Sequence, residues 1–387
     1  MKFTKAIRIR LYPNRTQEKQ LNITLGHCRF IYNQMLSRQQ KVYQRRSEHL
    51  SYNEMQNLVP MMKTYHPWLK EADSQALNYA CRQVDNAYKK MFKEHAGYPR
   101  FKSKRGKQSY TTTNPNTIKI DFDNRKVRLP KLGWVRCRGS HQLPDDAIIK
   151  RATITKDTDS KYYCSITYTY ENKICYTFPT EPLVLGLDFK ISGLYVDSNG
   201  NSGGKPKHYT QSHEKLAIEQ YKLSQKKGSK KHETKSKRYL KQQQKVNKVH
   251  KHITNQRKDF LHKQSNAIAK QCDAVCIEDI SIKDMYATYT DTNNHTAKHN
   301  INIVVADDGW YLFTQMLEYK LKGRGKQLIK VAKDYPSTET CSCCGHMKKI
   351  PLTKRSYHCD NCGLTLNRDH NTAINIKNEG MRLLKTA

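Results

Sequence analysis

Four cysteines near the carboxyl-terminal end constrain the fold of this chain more than any other feature of the sequence. They form two Cys-x-x-Cys pairs, Cys341/Cys344 and Cys359/Cys362, separated by fourteen residues, and each pair is followed directly by a glycine. Each turn presents two thiolates, and the glycine permits its tight backbone, so the spacing suits one tetrahedral Zn²⁺ ion. Free or disulfide-bonded cysteines are the alternative, and Cys343 is not expected to be a ligand. We expect a structural zinc ribbon, which does not define an activity by itself.

The charge of the chain indicates a polyanionic partner. Lys and Arg number 70 against 34 acidic residues, which gives a formal net charge of +36. Nucleic acid is the first candidate, because a polyanion relieves the self-repulsion of such a protein. A membrane surface would also attract this charge, but the sequence shows no run of about 18 apolar residues, no secretory segment and no lipidation signal. We therefore expect an intracellular protein with no membrane partner.

The first half of the chain passes from a strand pattern to helices and back to strands. Residues 3–11 alternate apolar and polar side chains, as a half-buried strand does. Asn14, with Gln17 three residues later, predicts a helix cap, and the apolar spacing of a helix recurs at 74–92. Strand patterns return from about residue 100 to 180. The sequence therefore predicts strands that flank a helical insertion.

Three acidic residues stand where apolar secondary structure meets a polar loop. Asp188 and Glu278 each follow a short apolar run, and Asp369 lies at the start of a final helix, for which Asn367 is the candidate N-cap. Buried strands deliver acids to the edge of a sheet in this way. Such carboxylates can hold two Mg²⁺ ions about 4 Å apart, one activating water and one stabilising the leaving oxygen of a phosphodiester. Spacing alone does not prove that the three acids converge. The nearby rivals are Asp279, Asp284, Asp307 and Asp308.

Taken together, these motifs resemble the OrfB/TnpB family encoded by bacterial insertion sequences. The motifs run in the order Gly186-Leu187-Asp188, Ile277-Glu278-Asp279, two Cys-x-x-Cys-Gly pairs, and NRDHNTAINI from Asn367. The opening strand, the stretch GYPRFKSK from Gly97, and Tyr335-Pro336-Ser337-Thr338 also look like the family. The resemblance therefore covers nearly the whole chain, and type V CRISPR effectors are similar in the nuclease half.

The resemblance implies an α+β multidomain fold. A wedge-like β-barrel domain with a helical recognition insertion comes first, followed by an RNase H-like (RuvC-like) α/β domain with an inserted zinc ribbon. The implied ranges are 1–12 and 98–180 for the barrel, 13–97 for the recognition helices, 181–336 and 367–387 for the nuclease domain, and 337–366 for the ribbon. Within the nuclease domain, we expect residues 213–265 to form two inserted helices joined near Gly228.

The resemblance also implies an activity. Family members bind a non-coding RNA, pair its guide part with a DNA strand, and cut double-stranded DNA beside a short fixed motif. For this chain, the resemblance implies an RNA-guided DNA endonuclease whose catalytic residues Asp188, Glu278 and Asp369 bind two Mg²⁺ ions. The implied partners are a non-coding guide RNA and double-stranded target DNA. The implied location is the bacterial cytoplasm, at the nucleoid when DNA is bound, with one protein copy expected and two left open.

The short DNA motif requires polar side chains that reach base edges. Gln and Asn can bond a base edge with two hydrogen bonds, and Lys can contact a purine. We expect such contacts on the recognition helices and the first barrel loops. The candidates are Tyr52, Lys70, Ser74, Gln75, Asn78 and Thr113. For each of them, an ordinary place on the surface is the alternative.

Two residues depart from the pattern of the family. Lys190 stands where the family often has Gly, and Asn367 where many members have Asp, so the metal shell or the helix cap can differ. Neither departure removes one of the three acids, which inactivated relatives kept as RNA-guided repressors typically lose. The alternatives to the nuclease are such a non-cutting repressor and a strand-transferring transposase, whose chemistry also uses an RNase H-like acidic trio.

Overall fold

The structure of this chain is a computed structural model. It describes residues 2–104, 106, 108–139, 142–171, 176–190, 193–204, 208–227, 234–280, 309–351 and 354–386. The chain divides into two compact units, Met1–Asn172 and Lys173–Ala387. None of the helices in the described ranges combines the length and the apolar character that crossing a membrane requires.

Seven strands of the first unit form one sheet. They are β1 (Lys2–Tyr12), β2 (Gln108–Thr112), β3 (Lys119–Asp121), β4 (Lys126–Leu129), β5 (Gly133–Arg138), β6 (Ile148–Lys156) and β7 (Tyr162–Glu171). Their order across the sheet is β2-β6-β7-β1-β5-β4-β3, and neighbouring strands are antiparallel. Ile7, Ile9 and Leu11 of β1 are buried, as the alternation of that strand predicts.

Three helices lie between β1 and β2, so the predicted helical insertion is confirmed. They are α1 (Arg15–Arg46), α2 (Tyr52–Tyr65) and α3 (Ser74–Glu94), with a short 3₁₀ helix at Pro67–Glu71. Asn14 and Gln17 form the predicted reciprocal cap at the start of α1. Ser51 and Asp73 cap α2 and α3 with their side chains.

The sheet of the first unit is open, and the expectation of a closed barrel is therefore wrong. Strands β2 and β3 end the strand order on opposite sides and are not paired with each other within the described residues. Closure would require these two edges to meet, but β3 has only three residues. Helices α1 and α3 also pack against β2, so helices take the place that a closing strand would need.

The second unit contains a four-stranded sheet. Its strands are β8 (Val184–Phe189), β9 (Tyr195–Asp197), β10 (Ala274–Glu278) and β11 (Gln327–Val331), in the order β11-β10-β8-β9. Strands β8, β10 and β11 are parallel, and β9 is antiparallel to β8. Two further strands, β12 (Ser356–His358) and β13 (Thr365–Asn367), form a separate hairpin.

Three helices cover the two faces of this second sheet: α5 (Lys237–Gln271), α6 (Trp310–Lys322) and α7 (Arg368–Thr386). A further helix, α4 (His208–Ser224), packs against α5. Leu187 of β8 and Ile277 of β10 pack with α5 and α6 on one face. Val184 and Cys276 pack with α7 on the other. Helices α4 and α5 occupy the stretch where two helices were predicted, and the expected joint at Gly228 lies outside the described residues.

Candidate active site

The three acids come from three neighbouring elements of the second unit. Asp188 lies near the end of β8, Glu278 ends β10, and Asp369 is in the first turn of α7. Side chains alternate between the faces of a strand, so Asp188 lies on the same face as Val184, and Glu278 on the same face as Cys276. That face is the one covered by α7, the helix that carries Asp369. The fold therefore directs all three acids to one place.

The charges of the acids show that they are close together. The pKa of Asp188 is raised well above its ordinary value, first by burial and then by the negative charges of Asp369 and Glu278. Burial also raises the pKa of Glu278 to about 7, against the opposing charge of Lys333. The structure thus brings the predicted trio together at a partly buried place, where a bound cation would offset the repulsion between the carboxylates.

Two basic side chains neutralise part of this charge. Nζ of Lys190 lies 3.4 Å from Oδ2 of Asp369, and a guanidinium nitrogen of Arg368 lies 3.4 Å from Oδ1 of the same carboxylate. Asp369 itself is buried. In the sequence, Lys190 is notable only as a departure from the family pattern, and Arg368 does not stand out. The contacts of these two side chains with Asp369 do not follow from spacing along the chain.

The donor set fits a hard divalent cation. Carboxylate oxygens are the protein ligands that Mg²⁺ prefers, and a divalent cation would offset the charge that raises the pKa of Asp188. Among the described residues, only the four-cysteine cluster brings three or more candidate ligand atoms within 4.8 Å of one another. The three acids do not form such a group.

Asn367 performs the capping role predicted for it. Its Oδ1 accepts hydrogen bonds from the backbone N–H groups of Asp369 at 3.0 Å and His370 at 3.4 Å. These are two of the N–H groups that a helix start leaves without partners. An asparagine here satisfies them without adding another negative charge beside Asp369.

The rival acids either stand apart or lie outside the described residues. Asp279 is exposed and accepts a 2.9 Å hydrogen bond from the ammonium of Lys330. Asp284, Asp307 and Asp308 fall in the stretch 281–308, which lies outside the described residues.

The four predicted zinc ligands form a compact cluster. Sγ of Cys341 lies 3.6 Å from Sγ of Cys362, and the sulfurs of Cys344 and Cys359 are separated by the same distance. A tetrahedral Zn²⁺ ion with thiolate bonds near 2.3 Å requires sulfur separations of about 3.8 Å, so the cluster fits zinc. A hydrogen bond from Asn361 is the largest influence that lowers the pKa of Cys344 to about 6, which favours its thiolate form. Cys343 is exposed and outside the cluster, as predicted.

The backbone of the ribbon explains the two glycines. Gly345 and Gly363 have φ angles of 75° and 72°, in the left-handed region that glycine adopts readily. Each donates its N–H to the carbonyl of the first cysteine of its pair, at 3.0 Å. This turn directs both sulfurs of a pair to the same side.

The candidate contacts to the DNA motif lie on the first unit and only some of them meet. Thr113 donates a 3.2 Å hydrogen bond to Oε1 of Gln75, which lies in the first turn of α3 beside Ser74. Ser74 instead accepts a 2.7 Å hydrogen bond from Lys63. Tyr52 lies under the guanidinium of Arg82, 4.5 Å from ring centroid to carbon. Asn78 is half-buried on α3, and Lys70 is exposed.

Two buried asparagines of α7, Asn371 and Asn375, were not predicted as functional residues. Both bind backbone groups of the chain that leads into the first zinc ligand. Their spacing of four residues places them on one face of the helix, and this is the signal that the sequence offered.

Family models match three parts of the chain. The model described as Cas12f1-like, TNB domain matches residues 310–376, which include the zinc cluster. The OrfB_IS605 model, described as "Probable transposase", matches residues 165–288, and a helix-turn-helix domain model of the same family matches residues 1–48. In that last range the structure has the strand β1 and the single long helix α1.

Relatives align with the chain along almost its full length. A protein of Escherichia coli (strain K12) described as "Putative RNA-guided DNA endonuclease InsQ" is 32% identical over 392 residues, which cover 99% of this chain and 94% of that protein. A Streptomyces pristinaespiralis protein with the same description, without the name InsQ, is 28% identical over 97% of this chain and 89% of its own length.

A solved structure shows a similar fold. The Cas12f1 chain in a cryo-EM complex with sgRNA and target DNA superposes with a TM-score of 0.58 at 13% identity, covering 97% of this chain and 99% of that one. The full-length match to the InsQ protein shows the family. The chain therefore belongs to the TnpB/OrfB family of proteins encoded by insertion sequences.

Proposed function

We propose that this protein is an RNA-guided DNA endonuclease that hydrolyses phosphodiesters at Asp188, Glu278 and Asp369. One observation carries the proposal: β8, β10 and α7 place the three acids on one face of the sheet, where burial and then the charges of Asp369 and Glu278 raise the pKa of Asp188. Exposed acids mostly keep their ordinary pKa values, whereas a cluster of partly buried acids that includes two with raised pKa values is typical of a functional site. The four-stranded sheet and its acids would form the RNase H-like domain.

The relatives support the substrate classes. Two relatives that align along almost their full length carry the description "Putative RNA-guided DNA endonuclease", and the Cas12f1 structure of similar fold was solved with sgRNA and target DNA. A net charge of +36 matches a protein that encloses a long nucleic-acid backbone. In such a complex, base pairing reads the sequence while the protein recognises the shape of the heteroduplex. Non-coding guide RNA and double-stranded target DNA are therefore the proposed partners, with one protein copy in the complex.

The residues of the site would act by holding and orienting charge. Glu278 and Asp188 must lose their protons to bind a cation, and the shared face of the sheet holds both carboxylates beside Asp369. When bound there, two Mg²⁺ ions would activate a water molecule and stabilise the leaving oxygen. Lys190, Arg368 and Lys333 place positive charge around the acids, where a DNA phosphate would bring further negative charge.

Each part of the chain would have its own role in such an enzyme. We assign residues 13–97 to target recognition, 1–12 and 98–180 to the wedge-like domain, 181–336 and 367–387 to the nuclease domain, and 337–366 to the ribbon. The zinc ion would be structural, because all four thiolates are used and no open position remains.

Gln75 and Thr113, already in contact, are the best placed of the six motif candidates. Selection from a DNA library with a randomised flank would show whether Gln75→Ala relaxes the motif.

The decisive experiment starts with the nucleic acid that the protein carries. The chain is co-expressed with its flanking genomic DNA, purified in high salt, and the bound nucleic acid is sequenced. We expect a single discrete RNA that ends in a variable guide. The purified complex is then given Mg²⁺ and a plasmid library with a matching target. We expect double-strand breaks beside one fixed motif.

Other outcomes would overturn the proposal. Heterogeneous or absent RNA would indicate a DNA-processing enzyme without a guide. Target binding without breaks in Mg²⁺ would indicate a non-cutting repressor, and joined DNA ends would indicate a strand-transferring transposase.

A further inference from the structure

The starting point is a pair of buried amides on helix α7. Asn371 is 0% exposed and Asn375 is 2% exposed. Nδ2 of Asn375 donates to the backbone carbonyls of Ser337 at 2.8 Å and Thr340 at 2.6 Å. Nδ2 of Asn371 donates to the same Thr340 carbonyl at 2.8 Å, and its Oδ1 accepts from the N–H of Ser342 at 3.0 Å. Burying two carboxamides is costly, and these four bonds offset that cost.

These bonds hold the segment that contains the first zinc ligand. Cys341 lies between Thr340 and Ser342, and both of these neighbours are bound by α7. The zinc cluster joins this segment to the second pair of ligands, whose Cys359 and Cys362 precede β13. A zinc ion held by the cluster would join the two arms of the ribbon into one piece.

The ribbon is attached to α7 at a second place. Strand β13 ends at Asn367, and α7 begins at Arg368, so the second arm continues directly into the helix. The N–H of Arg368 also donates to the carbonyl of Arg355, at 2.8 Å, next to β12. Asp369 therefore lies between two attachments, the strand on one side and the amides of Asn371 and Asn375 on the other.

We infer that Asn371 and Asn375 are positioning residues that couple the zinc ribbon to Asp369. The ribbon fixes the first turn of α7 through them, so the affinity of the acid site for a divalent cation depends on whether zinc is present. This inference rests on the proposed function, which places a cation at Asp369. Partners that orient metal ligands typically contribute about 10-fold to 100-fold in affinity.

The test measures cation binding by the purified full-length chain, without nucleic acid. Mn²⁺ binding is followed by the paramagnetic resonance of the free ion, and zinc content by elemental analysis. An Asp188→Asn/Glu278→Gln/Asp369→Asn variant defines the signal that belongs to the acid site. The clamp, meaning the four hydrogen bonds that Asn371 and Asn375 make to the ribbon, is removed in an Asn371→Ala/Asn375→Ala variant. Asn378→Ala, an exposed asparagine of the same helix, is the matched control.

A thermodynamic cycle separates coupling from general damage. Removal of zinc by a chelator, followed by dialysis, should weaken Mn²⁺ binding about tenfold in the natural protein and in Asn378→Ala, and re-added zinc should restore it. In the double variant that retains zinc, binding should already be about tenfold weaker. In this double variant, removing zinc should weaken Mn²⁺ binding by a further factor of less than about two, because the substitutions and the loss of zinc break the same connection.

Two results would overturn the inference while leaving the proposed function intact. One is an acid-site signal that zinc removal does not change. The other is a zinc effect of equal size with and without the clamp. If the triple acid variant binds Mn²⁺ as the natural protein does, the proposed metal site itself fails. Should the double variant not fold, Asn375→Ala alone leaves both hydrogen bonds of Asn371 in place, so it should show a smaller effect in the same direction.

Discussion

The ammonium of Lys190 lies 3.4 Å from the carboxylate of Asp369. A cation bound by Asp369 must compete with this ammonium for the same oxygen. Arg368 approaches the other oxygen of the carboxylate, so removing Lys190 does not leave Asp369 without a basic partner. The side chain of Lys190 therefore holds a positive charge at the site before any metal ion binds.

Replacing Lys190 should lower the Mg²⁺ requirement for cutting. A partly exposed ion pair is worth about 1 kcal/mol, so Lys190→Met should reduce the Mg²⁺ concentration at half-maximal cleavage about fivefold. The measurement is a cleavage titration with Mg²⁺ at constant ionic strength. Lys330→Met, which breaks the exposed pair with Asp279, is the matched control and should leave the titration unchanged. A higher Mg²⁺ requirement in Lys190→Met would show that Lys190 assists the cation instead of competing with it.

The raised pKa of Glu278 predicts a pH dependence of cation binding. With a pKa of about 7, Glu278 is largely protonated below pH 7 and ionised above it, and the pKa of Asp188 is raised as well. A cation binds the ionised form of the acids, so its affinity should be greatest above pH 7. Below pH 7, the affinity should fall by up to about tenfold per pH unit for each proton that the cation must displace. Mn²⁺ titrations of the full-length chain at pH 6, 7 and 8 test this. Equal affinities over this range would mean that the acids ionise near pH 4, as exposed carboxylates do.

The glycine of the first acidic motif is predicted to set the distance between α7 and the sheet. A Cβ atom at Gly186 would meet the carbonyl of Ala373 and lie 2.7 Å from the backbone nitrogen of Lys377. Gly186→Ala should therefore push α7 from β8, destabilise the fold by about 1–3 kcal/mol and weaken Mn²⁺ binding. Urea unfolding and Mn²⁺ titration measure the two effects. Gly97→Ala, where a Cβ meets nothing within 4 Å, should change neither. A stable Gly186→Ala variant with normal binding would contradict the close packing.

The zinc assignment predicts different results for two neighbouring cysteines. The natural protein should contain about one zinc ion per chain, and Cys341→Ser should lower this content because a hydroxyl is a poor replacement for a thiolate. Cys343→Ser should retain the zinc, since Cys343 lies outside the cluster. Elemental analysis after dialysis measures both. Zinc content that is equal in the two variants would refute the assignment.

Local patterns predicted much of what the structure shows. The cap at Asn14, the cap at Asn367 and the four-cysteine spacing all depend on residues within a few positions of one another, or on a recurring motif. The grouping of Asp188 and Glu278 also follows from strand alternation, once β8 and β10 are known to be adjacent. Such features can be read along the chain.

The parts that the sequence did not predict depend on contacts between distant residues. The pair Lys190–Asp369 joins positions that are far apart in the chain, and the amide bonds of Asn375 reach back to Ser337. The open sheet likewise depends on where α1 and α3 pack, and edge pairing leaves no periodic signal in the sequence. The family resemblance implied a barrel at that point, and the strand order corrects it.

The most direct test of the central claim compares two adjacent acids. The RNA-loaded complex is given Mg²⁺ and a plasmid with a matched target, and target binding is measured in parallel. Glu278→Gln should slow cutting at least about 100-fold, since a bound metal ion supplies several kcal/mol to such reactions, while target binding stays unchanged. Asp279→Asn, at the exposed neighbour paired with Lys330, should cut as the natural complex does. Normal cutting by Glu278→Gln, or equal losses in both variants, would contradict the claim that Asp188, Glu278 and Asp369 form the nuclease site.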